Sequence, residues 1–303
     1  MSDYHITILV LICIWSLVAL GLNIISGYAG LFNLGIGVYM GTGAYASAVL
    51  TTTYGLSFWV ALPLALIIAG LMGLLTGLPA LRVKEDSLTT ISIGLVFVFE
   101  SLLIYLPHFG GPVGIGRIPV PVVAGEPIGK MGYLVLSVAM LAMAVALNWK
   151  LATARIGLAW QSMREDELAA RVIAMDPGRL KLYAYVVGAV LAGAGGVLYA
   201  HFMNYITPYD FGFLPSVYVL VMIVFGGLGT IRGVLFGAAF LTAMPELFRF
   251  IQDYRNLLYG GMLITLMLFM PKGVLGTGRI PRRLRRKPDL NTSASVVTTG
   301  RAA

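Results

Sequence analysis

Ile6-Thr-Ile-Leu-Val-Leu-Ile-Cys-Ile-Trp-Ser-Leu-Val-Ala-Leu-Gly-Leu-Asn-Ile-Ile25 opens a stretch that holds no Asp, Glu, Lys, Arg or His before Arg82. At about 1.5 Å per residue, such a run crosses the roughly 30 Å hydrocarbon core of a bilayer as one helix. Outward from it the pattern repeats, until one window breaks it. Lys150 to Lys181 carries Lys150, Arg155, Arg164, Glu165, Asp166, Glu167, Arg171, Asp176, Arg179 and Lys181. Its centre reads Arg164-Glu-Asp-Glu-Leu-Ala-Ala170, with apolar sequence on both sides. A polar island between membrane-length segments is a platform on which another protein can act.

Composition agrees. The chain is 58% hydrophobic and 11% charged, with mean hydropathy +0.88. Soluble domains carry about 25% charged residues, enough to cover a wetted surface. The apolar runs do not alternate, which excludes a lipid-facing barrel. The expected fold is an all-α polytopic membrane protein with about nine transmembrane helices, range eight to ten. The spans fall near residues 6–25, 31–53, 57–80, 87–106, 131–149, 181–201, 215–230, 233–251 and 255–271. The second is rich in Gly and is read as a helix that is broken or re-entrant. Residues 1–278 form the transmembrane domain. Residues 279–303 form a basic, mostly disordered tail lying on anionic headgroups.

The net charge of +8 is assigned to the bias of Lys and Arg toward the cytoplasm, not to nucleic acid. With the N-terminus outside and the C-terminus inside, seventeen basic residues lie inside; only Arg117, Lys130, Arg249 and Arg255 lie outside. The single cysteine, Cys13, excludes a disulfide within the chain. The N-terminus has no basic n-region, so no cleaved signal peptide is expected. The outer loop, 107–130, holds Pro107, Pro112, Pro119, Pro121 and Pro127 and cannot be a long helix.

Four features carry the functional reading. Gly37/Gly41, Gly73/Gly77 and Gly229/Gly233/Gly237 repeat at four-residue steps, the spacing that lets helices approach closely in lipid. Asn23, Asn33, Gly35 and Gly37 mark a candidate translocation pathway where an interrupted helix frees backbone groups. Glu100 lies mid-span and is a pathway or partner-contact candidate, because carboxylates in hydrocarbon are costly; Glu246 with Arg249 reads as a local ion pair. Residues 162–175 read as one short amphipathic helix with Leu168, Val172 and Met175 on a face, ended by the turn Asp176-Pro177-Gly178. His5, His108 and His201 lack ligand-like neighbours, so no metal is assigned. No Gly-rich phosphate loop occurs, so no ATPase site of its own and no enzyme activity is expected.

Several ordered motifs resemble the LivM-type permease subunits of bacterial branched-chain amino acid ABC importers. They are Gly21–Gly35, Gly41-Thr-Gly-Ala-Tyr45, Leu78-Pro-Ala-Leu-Arg82, Gly110-Gly-Pro-Val-Gly114, Arg164–Ala170, Leu180-Lys-Leu-Tyr-Ala184, Phe225-Gly-Gly-Leu-Gly229 and Pro271-Lys-Gly-Val-Leu-Gly276. The resemblance spans about residues 15–278. It implies an ABC importer permease fold in the bacterial inner membrane, the C-terminus cytoplasmic, paired with a related second permease. It also implies two cytoplasmic subunits that bind ATP and Mg, and a periplasmic substrate-binding protein. No cofactor is expected in this chain. In that picture Arg164, Glu165, Asp166, Glu167, Ala169 and Ala170 couple to the ATPase. Branched-chain amino acids are the expected cargo, because the walls are apolar. A urea or short-amide importer is the alternative reading, and an ion-coupled secondary transporter a further one.

Overall fold

The run Gly188-Ala-Val-Leu-Ala-Gly-Ala-Gly-Gly196 has almost no side chain to hold neighbouring helices apart, and it forms the middle of the central helix, α8 (Pro177–Met203). Three helices press on it in this computed structural model, which describes residues 3–247 apart from 82, 84, 124, 173 and 174, together with Gly261 and Val274. They are α1 (Asp3–Leu22), α2 (Ile36–Thr52) and α3 (Phe58–Gly77). A Cβ at Gly196 would run into the Met40 carbonyl, one at Gly43 into Gly193, and one at Gly73 into Ala189. Lipid offers no hydrophobic drive between helices, so this backbone-to-backbone contact supplies the cohesion. The Gly73/Gly77 and Gly233/Gly237 steps serve the same end, the latter against Met222 and Gly226.

The remaining elements are α4 (Glu85–Tyr105), α5 (Lys130–Thr153), α6 (Arg155–Glu165), α7 (Glu167–Val172), α9 (Phe213–Gly226) and α10 (Ile231–Leu247). Eight expected spans thus meet a helix among the described residues. Among the described residues, six helical segments are long and apolar enough to cross a membrane, and α2 and α10 are shorter. The ninth span, the tail, Arg82, Lys84 and the Glu246–Arg249 pair lie outside the described residues and side chains. Ile67, Leu71 and Leu75 on α3, and Val135, Val138 and Met143 on α5, are exposed. These faces require lipid or another protein, not water.

Two ends of the bundle are distinct. At the Asp3 end, the proline-rich loop 107–129 lies against the helices. Trp59 Nε1 donates to Val122 O at 2.9 Å, Tyr205 Oη donates to Val113 O, and β1 (Ile115–Gly116) pairs antiparallel with β4 (Tyr205–Ile206). β2 (Val122–Val123) and β3 (Glu126–Pro127) close a small hairpin within the loop. His201, fully buried, is held at 2.7 Å from Pro119 O by Nδ1 and 2.6 Å from Ser47 Oγ by Nε2. A carbonyl only accepts, so Nδ1 carries the proton and Nε2 of the neutral ring accepts from Ser47. This histidine is a structural clasp. At the opposite end lie α6, α7 and the start of α8.

The second span differs from its expected bounds. α1 continues as a π-helical turn, Asn23–Tyr28, and a non-helical stretch, Ala29–Gly35, leads into α2 at Ile36. Gly30 sits at φ +77°, which stops helix propagation there. Gly37, Gly41 and Gly43 stand at close approaches of α2. They let it approach Phe211, Phe99 and Gly193.

Candidate functional site

The charged window folds into two helices, not the single helix expected over 162–175. α6 buries Gly157, Trp160 and Met163, which recur on one face, and Trp160 Nε1 donates to Leu180 O at 2.9 Å. The chain then breaks at Asp166, whose backbone is extended at φ −159° and ψ 109°. Arg164 and Glu167 on either side of the break are bonded to different parts of the protein, which fixes the elbow. Val172, expected on the apolar face, is exposed, whereas Ala170 is buried. Asp176-Pro177-Gly178 starts α8 instead of closing the preceding helix. Asp176 is its N-cap, with Oδ1 accepting from Arg179 N at 3.3 Å, and Pro177 stands at N1, where it loses no helical hydrogen bond.

Glu167 is the hub of this elbow. Its Oε2 accepts from Lys181 Nζ at 2.8 Å and its Oε1 from Arg171 at 2.9 Å. Partial burial pushes its carboxyl up, but the hydrogen bonds and charges of Lys181 and Arg171 outweigh this and hold it below the ordinary carboxylate value. Lys181 is buried, and Glu167 is the carboxylate that partners it. Glu165 and Asp166 are exposed at the tip.

Arg164 points the other way. Its Nη1 donates to Gly27 O at 2.5 Å at the end of the π-helical turn. Its stem lies on Gly30, where a Cβ would come within 2.6 Å of Arg164 Cγ. The same turn is tied to the α9–α10 connection, because Gly229 N donates to Asn23 Oδ1 at 2.9 Å. Arg164 and Asn23 thus meet, while Glu165, Asp166 and Glu167 stay on the other side of the elbow.

Several polar groups of the non-helical stretch before α2 are paired across the bundle, as apolar surroundings demand. Ser26 Oγ donates to Leu31 O at 3.0 Å. Asn33 Oδ1 accepts from Gly35 N at 2.5 Å, and Asn33 Nδ2 donates to Tyr39 Oη at 3.4 Å. Tyr39 Oη and Thr76 Oγ1 are 2.8 Å apart, and Leu34 N donates to Ser92 Oγ at 3.0 Å. Gly37 N donates to Ser216 Oγ at 3.0 Å, joining α2 to the first turn of α9. Glu100 is half-buried, five residues short of the end of α4 and not at mid-span. Its carboxylate lies beside Gly212, the N-cap of α9.

The family described as "Branched-chain amino acid transport system / permease component" matches residues 4–267. The chain belongs to this permease family. Among its relatives, the high-affinity branched-chain amino acid transport system permease protein LivM of Escherichia coli (strain K12) is 33% identical, over 92% of this chain and 72% of that protein. LivM of Salmonella typhimurium is 33% identical, over 90% and 70%. The permease protein LivH of Escherichia coli (strain K12) is 28% identical, over 50% and 48%. No solved structure matches.

Within this permease, several family motifs meet in space. Gly27 and Gly30, Arg164, and Gly229 come together at one end, and Val274 N donates to Phe225 O at 2.8 Å, joining the last two motifs. Sequence reasoning missed Ser26, Tyr39, Thr76, Ser92 and Ser216. Their signal was present: hydroxyl side chains, four small and one phenolic, within apolar runs, whose partners must lie on a neighbouring helix or one turn back.

Proposed function

We propose that this permease is the membrane channel subunit of an ATP-driven importer for branched-chain amino acids. It pairs with a related second permease, takes cargo from a periplasmic binding protein and is driven by two cytoplasmic subunits that bind ATP and Mg. The α6–α7 elbow is the seat for one of those subunits, with Glu165 and Asp166 at its tip and Glu167, Ala169 and Ala170 behind them. The observation that carries this reading is the family match over nearly the whole chain, together with a polar elbow gripped between α5 and α8. A partner that pushes such an elbow moves both helices.

The elbow end is assigned to the cytoplasm. Lys150, Arg155, Arg164, Arg171, Arg179, Lys181 and Arg232 belong to that end, whereas Arg117 and Lys130 belong to the other. The path is placed beside the interrupted entry to α2 and Glu100, with Asn23, Asn33, Gly35 and Gly37 framing it. Half-helices beginning within a bundle are where membrane transporters bring free backbone groups to cargo.

Reconstituting the four membrane and ATPase subunits in proteoliposomes, with the binding protein outside, tests the reading. Leucine uptake that needs ATP is expected, with no uptake of urea. Uptake driven by a proton or sodium gradient without ATP, or urea as the preferred cargo, would contradict it.

A further inference from the structure

We infer that Arg164 is a positioning residue that carries the elbow's movement into the π-helical turn Asn23–Tyr28 and the turn joining α9 to α10. The inference rests on the importer reading and adds to it the route by which the stroke leaves the elbow.

Trp160 fixes α6 to α8 through Leu180 O, and its indole is fully buried. α6 and the start of α8 therefore move together. Arg164, one turn further on, is the side chain that crosses to a different element. Its guanidinium bonds Gly27 O, and its Nη1 lies 3.4 Å from where a Gly229 Cβ would stand. Gly229 in turn donates to Asn23 Oδ1. Arg164, Gly27, Asn23 and Gly229 thus join α6, the end of α1 and the α9–α10 turn at one point.

The receiving element is irregular. A π-helical turn bonds i→i+5 in place of i→i+4 and is frequent at functional sites. Its boundary glycine, Gly30, and Gly229 opposite both sit at positive φ, +77° and +80°, where a side chain would add strain and, at Gly30, strike the Arg164 stem. Asn23 Nδ2 is buried and makes no hydrogen bond; the Tyr28 hydroxyl is near but short of bonding geometry. The amide therefore has a donor ready for a second arrangement of the turn, and two discrete arrangements are what a stroke requires. A lysine in place of Arg164 can still donate to a carbonyl, but as a point donor, without the planar guanidinium whose Nη1 bonds Gly27 O beside Gly229.

The test uses the complete complex in proteoliposomes and reads ATP hydrolysed per leucine taken up, for wild type, Arg164→Lys, Arg164→Ala, Asn23→Ala and the double variant R164A/N23A. The expected result is that R164A raises the ratio about tenfold or more while the ATPase subunits still co-purify. R164K should be intermediate, and the double variant no worse than R164A, because both residues serve one link. A wild-type ratio in R164A, loss of the ATPase subunits from R164A or R164K, or independent multiplication of the two effects would each overturn the inference. Absence of ATP-driven leucine uptake in the wild-type complex would instead sink the importer reading beneath it.

Discussion

Glu167 shows how one carboxylate holds the elbow to the bundle. Its carboxyl is acidified by Lys181 and Arg171, so its contribution to stability is present above the ordinary carboxylate value of 4.5 and is lost as pH falls through its lower folded value. Thermal melts of the purified permease should therefore lose stability on acidification below that value. Lys181→Met should weaken that dependence, leaving the part that Arg171 supplies. Glu167→Ala, which leaves buried Lys181 with no carboxylate partner at the elbow, should cost about 1–3 kcal/mol. An unchanged acid limb in Lys181→Met would show that the pair is not the cause. At Glu100, uptake by Glu100→Gln should fall if the carboxylate borders the path, and wild-type uptake with normal assembly would remove it from the path. The residue scale is also where the sequence was hardest to read. Arg164 sits in a run of charges that looks like one solvated face. Nothing in that run tells which long side chain turns back toward Gly27, because the partner carbonyl lies 137 residues away.

Elements were more legible than contacts, because hydrophobic length is a local property and helix interruption is not. The spans now seen as α3, α4, α5 and α8 fall within a few residues of their expected positions, since each is one apolar run bounded by polar residues. α2 begins at Ile36, not near residue 31, because Gly30 turns the chain and the Asn33 side chain accepts from Gly35 N just before the helix. The elbow was expected as one helix because the apolar period Leu168, Val172, Met175 is continuous in sequence. The tertiary bonds of Arg164 and Glu167 break it at Asp166. Two predictions belong here. Gly196→Leu forces a side chain into the Met40 carbonyl at the α2–α8 contact, so overpacking should cost about 1–3 kcal/mol or more and lower the yield of folded protein; normal yield and melting would show that this approach is dispensable. Glu165→Lys with Asp166→Lys should cut cargo-stimulated ATP hydrolysis without impairing membrane insertion. Wild-type stimulation in that variant would remove the tip from the docking surface.

At the scale of the whole molecule, the bundle is largely apolar within and on its flanks, and most of its described charged groups lie toward two ends. One end is clasped by His201, Trp59 and the proline-rich loop. The other carries the elbow and most of the described basic residues. That division fits a subunit that receives cargo on one side and force on the other. The central claim is that force enters at the Asp166 elbow, and a cross-link reads it directly. The chain's one cysteine, Cys13, is buried, so Asp166→Cys supplies the accessible thiol on this subunit for a short bifunctional reagent in the assembled complex. A cross-link from residue 166 to an ATPase subunit is expected, with a yield that changes when ATP is trapped with vanadate. A residue 166 that reacts only from the periplasmic side, or that never links to an ATPase subunit, would contradict it.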